Sequence, residues 1–175
     1  MSSERAVAGI PEGLTGEGLN LGLINARWNT DIIDRLVAGA ERGFEALGVD
    51  EIVRASVPGS FELPFAAKAM ATSGHVDAIV VVGVVIRGET THYELVSEGC
   101  AGAVQATQLE TGIPIGFGVL TVEDRDQALA RSEDAGGHNV GEEAAIVAVE
   151  MCRLRQGFEA AVDDDGAEAL GGSYL

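Results

Sequence analysis

Two rhythms alternate along this chain: short, continuous apolar runs, and longer stretches whose apolar residues recur at helical spacing. The first run, Leu19 to Ala26, has the length of a strand. From about Asp31 to Leu47, residues Ile32, Leu36, Val37, Ala40, Phe44 and Leu47 form one helical stripe, with Asn29 and Thr30 available as N-caps and Gly48 as terminator. Glu51 to Val57 predicts a second strand, stopped by Pro58-Gly59. Ser60 is placed to cap a helix through Met70, where Pro64 is tolerated because it falls in the first turn. Val76 to Ile86 is β-branched and lacks alternation, as expected of a strand covered on both faces. The spacing then predicts a helix from about His92 to Thr111 and a fourth strand from Gly112 to near Thr121. A short helix over Glu123 to Arg131 follows, and a last helix from about Gly141 to Phe158.

Parallel strands need crossover connections of helix length. The pattern therefore predicts an α/β fold: a three-layer αβα sandwich with a four-stranded parallel sheet, flavodoxin-like in arrangement. One domain over residues 19–160 holds all these elements. Residues 1–18, small, polar and glycine-rich, read as an N-terminal arm without a core of its own. Residues 161–175, with Asp163, Asp164, Asp165 and Glu168 and no basic residue, read as an acidic disordered tail. Ligands of such sheets bind beyond the carboxyl ends of the strands, so chemistry is sought there.

After the third predicted strand comes Arg87-Gly88-Glu89-Thr90-Thr91-His92-Tyr93-Glu94. Thr91 with Glu94 three residues on predicts a capping box and a helix start at His92. The free N–H groups and the positive dipole end make an anion site, and a neutral imidazole at that point suits general acid–base work. A merely exposed or capping histidine is the plain alternative. The second strand ends at Gly59-Ser60-Phe61-Glu62, where a first-turn carboxylate either accepts hydrogen bonds from a polyol or simply complements the dipole. Trp28, after the first strand, either stacks on a flat heterocycle or plugs the core edge. Phe117 in the fourth strand reads as a core aromatic on its own. Arg131 is a candidate phosphate clamp. Together these residues point to a small-molecule site for a phosphate and a planar or polyol component. They do not identify a reaction.

Charge narrows the partners. The 175 residues carry 28 acids against 11 basic residues, a formal charge of −17, which argues against nucleic acid and anionic membranes. Lys68 is the sole lysine, and such a surface fits adaptation to high salt, where self-repulsion is screened. Cys100 and Cys152 lack metal-ligand or disulfide-framework spacing and read as buried thiols. The opening MSSERAVAGIPEG lacks the apolar core of a signal peptide, and the run Ala78 to Ile86 is too short to span a bilayer, so a cytoplasmic location is expected.

The strings Val57-Pro58-Gly59-Ser60-Phe61-Glu62 and Gly83-Val84-Val85-Ile86-Arg87-Gly88-Glu89-Thr90-Thr91-His92-Tyr93 resemble the two signature segments of lumazine synthases. The similarity extends through Trp28-Asn29, the strand Phe117 to Thr121, and Gln127-Ala128 up to Arg131, covering roughly residues 19 to 155. The acidic composition resembles haloarchaeal members. The resemblance implies condensation of 5-amino-6-(D-ribitylamino)uracil with 3,4-dihydroxy-2-butanone 4-phosphate to 6,7-dimethyl-8-ribityllumazine, the penultimate step of riboflavin biosynthesis, with no metal or organic cofactor. It implies that Trp28 stacks on the pyrimidine, where the family usually has Phe, and that Ser60, Phe61 and Glu62 hold the ribityl chain. Val84, Val85 and Ile86 line the pyrimidine pocket, and Phe117 closes it from a neighbouring subunit. Glu89 and Thr90 bind the sugar phosphate with Arg131, and His92 shuttles protons.

The stretch Ser132 to Gly141 departs from the family in lacking any Lys; either that Lys is dispensable or His138 supplies some of its charge. Pentamer-based homo-oligomers are implied, with an assembly smaller than the family's sixty-subunit shell expected, and residues 8–18 suit pairing with a neighbour's sheet. Two rivals share the fold: an archaeal-type riboflavin synthase, against which the Arg-Gly-Glu-Thr-Thr-His segment speaks, and a non-catalytic flavin- or lumazine-binding assembly protein. A flavodoxin-like nucleotide module is disfavoured because no Gly-rich phosphate fingerprint follows the first strand.

Overall fold

The structure is a computed structural model and describes residues 9–163. Four parallel strands form one sheet in the order β2-β1-β3-β4: β1 (Asn20–Ala26), β2 (Glu51–Val57), β3 (Ala78–Ile86) and β4 (Ile115–Val122). Five helices connect and flank them: α1 (Thr30–Leu47), α2 (Leu63–Ala71), α3 (His92–Thr111), α4 (Arg125–Leu129) and α5 (Val140–Asp163). The predicted αβα sandwich is the observed one.

The unalternating β3 is explained by its two faces. Val80, Val82 and Val84 point into a core shared with α1 and α5, while Ile79 and Val81 point into a second core with α2 and α3. A strand apolar on both sides needs a helix layer on each. In the first core, Ile32, Leu36, Ala40, Phe44 and Leu47 supply the predicted α1 stripe, all essentially buried. Two glycines of β4 let α5 approach: a Cβ on Gly116 would lie 2.0 Å from the carbonyl oxygen of Ala144, and one on Gly118 3.4 Å from the Ala144 side chain. Both cysteines are buried and unpaired, and burial pushes the Cys100 thiol up to about 11.

Several boundaries differ from the expected ones for local reasons. Asn29 stands at the N-cap of α1 in the left-handed region (φ 60°) without a side-chain cap, and Thr30 Oγ1 donates instead to the Arg27 carbonyl. Ser60 caps no α-helix: Ser60–Glu62 is a single 3₁₀ turn, after which α2 begins with Pro64 in its first turn. Asp77 precedes β3, exchanging hydrogen bonds with Asn20. Gly112 terminates α3 at φ 69°, which delays β4 to Ile115. Asp124, accepting from the Gln127 amide, caps an α4 shorter than predicted.

The arm is partly docked. Leu14 sits in the first core, Gly16 donates to the Leu47 carbonyl, and Arg153 donates to the carbonyls of Thr15 and Glu17. At the other end α5 continues through Asp163, so the predicted tail begins helically; residues 1–8 and 164–175, the rest of the arm and of the acidic tail, lie outside the described residues. Among the described residues no helix is long and apolar enough to cross a membrane.

Candidate active site

The carboxyl ends of the strands are stitched together by backbone bonds. Arg27 N–H donates to the carbonyls of Val57 (2.9 Å) and Pro58 (3.2 Å), and Trp28 N–H to Pro58 (3.3 Å), fixing the exit of β1 against that of β2. Trp28 then lies 65% exposed, with its ring over Gly59: a Cβ there would fall 2.6 Å from two ring carbons and 3.3 Å from Glu62 Oε2. Glycine at 59 is thus what lets the indole settle beside the carboxylate. Glu62 is held in place because its Oε2 accepts from the Gly59 amide at 2.9 Å.

Ser60 is buried, its Oγ donating to the Val84 carbonyl at 3.4 Å and sitting over Gly83. The neighbouring Phe61 is exposed, its ring edge resting on Gly99 of α3. Val85 and Ile86 are half-buried at the end of β3. The turn after β2 therefore brings Ser60, Phe61 and Glu62 together with Trp28 at the end of β3, where Val84 and Ile86 face one core and Val85 the other, and it forms a cradle with an exposed aromatic face beside a fixed carboxylate.

Beyond β3 the chain runs exposed through Gly88, Glu89, Thr90 and Thr91 into α3. The helix starts at His92 as predicted, but the capping box does not form: Thr91, at the N-cap, makes no side-chain cap, and Glu94 pairs with Arg87 instead. Thr90 Oγ1 accepts from the His92 amide at 3.4 Å. His92 itself is exposed, with no side-chain partner among the described residues.

Arg87 was not singled out from sequence. Its backbone N–H extends the ladder to the Val122 carbonyl (2.9 Å), its Nη1 meets Glu94, its Nε lies 2.7 Å from Glu123 Oε2, and its guanidinium lies 4.1 Å from the centre of the Tyr93 ring. The hydrogen bonds of Glu94 and then Glu123 raise the basicity of Arg87 further, and Arg87 holds the Glu94 carboxyl below the usual carboxylate range. A similar pair, Arg125 with Asp31, joins the starts of α4 and α1 and lowers the Asp31 carboxyl.

Two predicted residues do not join this group within one chain. Phe117 pairs with Val81 in mid-strand, five residues short of the Val122 end, or roughly 16 Å along the strand. At 37% exposed it is no core aromatic, because the outer side of β4 is left open there. Arg131 follows α4, its Nη1 donating to the Gln127 carbonyl at 3.0 Å. Its loop is fastened to the α1–α5 side of the sheet, whereas His92 opens a helix packed on the other side. The fastening is Asn139, 1% exposed: its Nδ2 donates to the carbonyls of Arg35 (3.0 Å) and Glu133 (2.9 Å), and its Oδ1 accepts from the amides of Gly141 (2.9 Å) and Glu142 (3.3 Å). The only sequence signal for it was an asparagine just before a helix. His138 Nε2 lies 3.3 Å from Glu143 Oε1.

Away from the cradle, β2 has one edge unpaired among the described residues, beside an apolar groove lined by Val53, Ala55, Val57, Phe65, Ala66 and Met70. Among the described residues no cluster of His, Cys, Asp or Glu is arranged to hold a metal ion.

The fold is that of a flavodoxin-like αβα protein, with a candidate small-molecule site at the carboxyl edge of its sheet. Residues 18–156 match the family model described as 6,7-dimethyl-8-ribityllumazine synthase. A 6,7-dimethyl-8-ribityllumazine synthase of Kineococcus radiotolerans is 46% identical over 136 residues, 77% of this chain and 84% of the relative. One of Thermococcus gammatolerans is 44% identical over 147 residues, covering 84% and 94% respectively. The chain belongs to the 6,7-dimethyl-8-ribityllumazine synthase family.

Proposed function

We propose that this protein condenses 5-amino-6-(D-ribitylamino)uracil with 3,4-dihydroxy-2-butanone 4-phosphate, forming 6,7-dimethyl-8-ribityllumazine and releasing phosphate and water. The observation that carries the reading is the family match over nearly the whole fold, with relatives of that printed activity above 40% identity. The geometry agrees with it. Trp28 offers a stacking face for the pyrimidine, Glu62 and the Ser60-Phe61 turn offer polar and apolar contacts for the ribityl chain, and Val84 to Ile86 form the floor. Glu89 and Thr90 flank the amides at the start of α3 as the phosphate subsite. His92 moves protons during imine formation and phosphate loss, and a dianion leaves best where an N-terminal dipole and a guanidinium meet it.

Arg131 and Phe117 serve the site of an adjacent copy in this reading, since both lie on the α4/β4 side of their own chain. The reading includes a homo-oligomer built on pentamers, and the β2 edge, unpaired among the described residues, with its apolar groove suits an incoming arm from a neighbour. His138, beside Glu143, is a candidate to supply some of the absent lysine's charge; unchanged kinetics in His138→Ala would remove it from the phosphate subsite. The acidic surface is read as a high-salt adaptation of a cytoplasmic protein.

The deciding experiment mixes purified protein with both substrates in low and in molar KCl and follows the lumazine absorbance band. Product formation supports the condensation, and product at high salt alone adds the salt adaptation. No product at either salt, with the pyrimidine or lumazine still bound, defeats the synthase reading and favours the riboflavin synthase or the binding protein. A narrower expectation concerns Gly59: Gly59→Ala drives a methyl group into the Trp28 ring, so KM for the pyrimidine rises about tenfold with KM for the sugar phosphate little changed, checked by steady-state kinetics.

A further inference from the structure

The first turn of α3 poses a question of competition. With Thr91 at the N-cap, Glu94 occupies the third helical position, from which a glutamate ordinarily reaches back to the N-cap amide. That amide lies beside the first-turn amides an external anion needs, so a carboxylate of the helix's own turned onto the helix start would crowd the subsite. In this structure Glu94 is turned the other way, onto Arg87. The Arg87 side chain is in turn fixed by the Tyr93 ring against its face and Glu123 against its Nε, so it is anchored from α3 and from the turn after β4 together.

Resting on the condensation proposed above, we propose that Arg87 is a positioning residue whose task is to hold the Glu94 carboxylate off the start of α3, leaving those amides open to the phosphate of the sugar substrate. Arg87 itself need not touch that phosphate. Three features of the geometry are used: Glu94 is the only acid in the first turn of α3, its partner lies outside the helix, and the Thr91 side chain makes no cap.

The test is a set of substitutions in the full chain, each with its melting temperature checked. Arg87→Met releases both Glu94 and Glu123. It is expected to raise KM for the sugar phosphate about tenfold with KM for the pyrimidine unchanged, the size of effect a competing carboxylate cap produces. Inorganic phosphate, titrated against the protein by ³¹P NMR, is expected to bind correspondingly more weakly. Adding Glu94→Ala to Arg87→Met restores both values. Adding Glu123→Ala, which recovers the same net charge but leaves the capping carboxylate free, does not.

Unchanged phosphate binding in Arg87→Met overturns the inference, as does equal rescue by the two second substitutions, which would mark a plain charge effect. A parallel rise in both KM values overturns it too. The phosphate titration needs no turnover. If the pattern holds there while the unsubstituted protein makes no lumazine, the clamp stands and the condensation falls.

Discussion

His92→Ala is expected to slow lumazine formation by about 10²- to 10⁴-fold, the range a positioned acid–base group contributes, while affinity for the ribitylated pyrimidine stays near that of the unsubstituted protein. The imidazole is exposed at the start of α3 with no side-chain partner among the described residues, whereas the proposed function assigns the stacking and polyol contacts to Trp28, Glu62 and the end of β3. Arg131→Ala is expected to lose turnover as well, through KM for the sugar phosphate. Arg131 lies on the opposite helix layer from α3, so under the proposed function the two defects fall in different halves of a site shared between copies. Co-refolding the two inactive variants in equal amounts should therefore regenerate about a quarter of the normal sites, by random pairing of neighbours around a ring. Stopped-flow absorbance on the mixture checks this. A mixture as inactive as its components would place Arg131 outside the site or within the same chain's cradle.

Asn139→Leu is expected to be the most destabilising of the substitutions considered. It leaves the amides of Gly141 and Glu142 without a side-chain acceptor and takes one of their donors from the carbonyls of Arg35 and Glu133, in a place where the asparagine is 1% exposed. Each buried group left without a partner costs roughly 1–3 kcal/mol, and partial solvation lowers the sum, so a total loss of about 3–5 kcal/mol is expected. The new side chain also has no room: Gly39 of α1 is in contact with the Asn139 amide because neither residue is larger. Denaturant titration measures the loss, and a value below about 1 kcal/mol would show that the loop re-forms its bonds to water. Asn139→Asp should fall between, keeping the acceptor for the two α5 amides and losing the donor for the two carbonyls.

Much of the fold was legible because the apolar pattern had one physical cause at each place. The α1 stripe and the unbroken β3 each reported how many faces of the element are covered, and both hold in the structure. Element ends were less legible, since they turn on local competition that residue type does not reveal. Ser60 looked like a helix cap but spends its hydroxyl on the Val84 carbonyl; Glu94 looked like half of a capping box but is claimed by Arg87. The cradle residues were placed correctly at strand ends because parallel-sheet topology forces those ends to one edge. Of the two readings of Phe117, the core aromatic does not fit its 37% exposure, since β4 is an outer strand, which composition cannot say. The layer on which Arg131 falls depends on the Asn139 fastening, which no periodicity announces.

The separation of Arg131 from the cradle has a consequence for how the protein is handled. If each copy carries only two unmatched halves, specific activity ceases to be a constant of the polypeptide. It falls on dilution as neighbours part, steeply and before any loss of helical signal, and it recovers on reconcentration with a lag set by re-encounter. With a charge of −17 on every copy, that encounter slows at low ionic strength, so the dilution at which activity fades is itself set by salt.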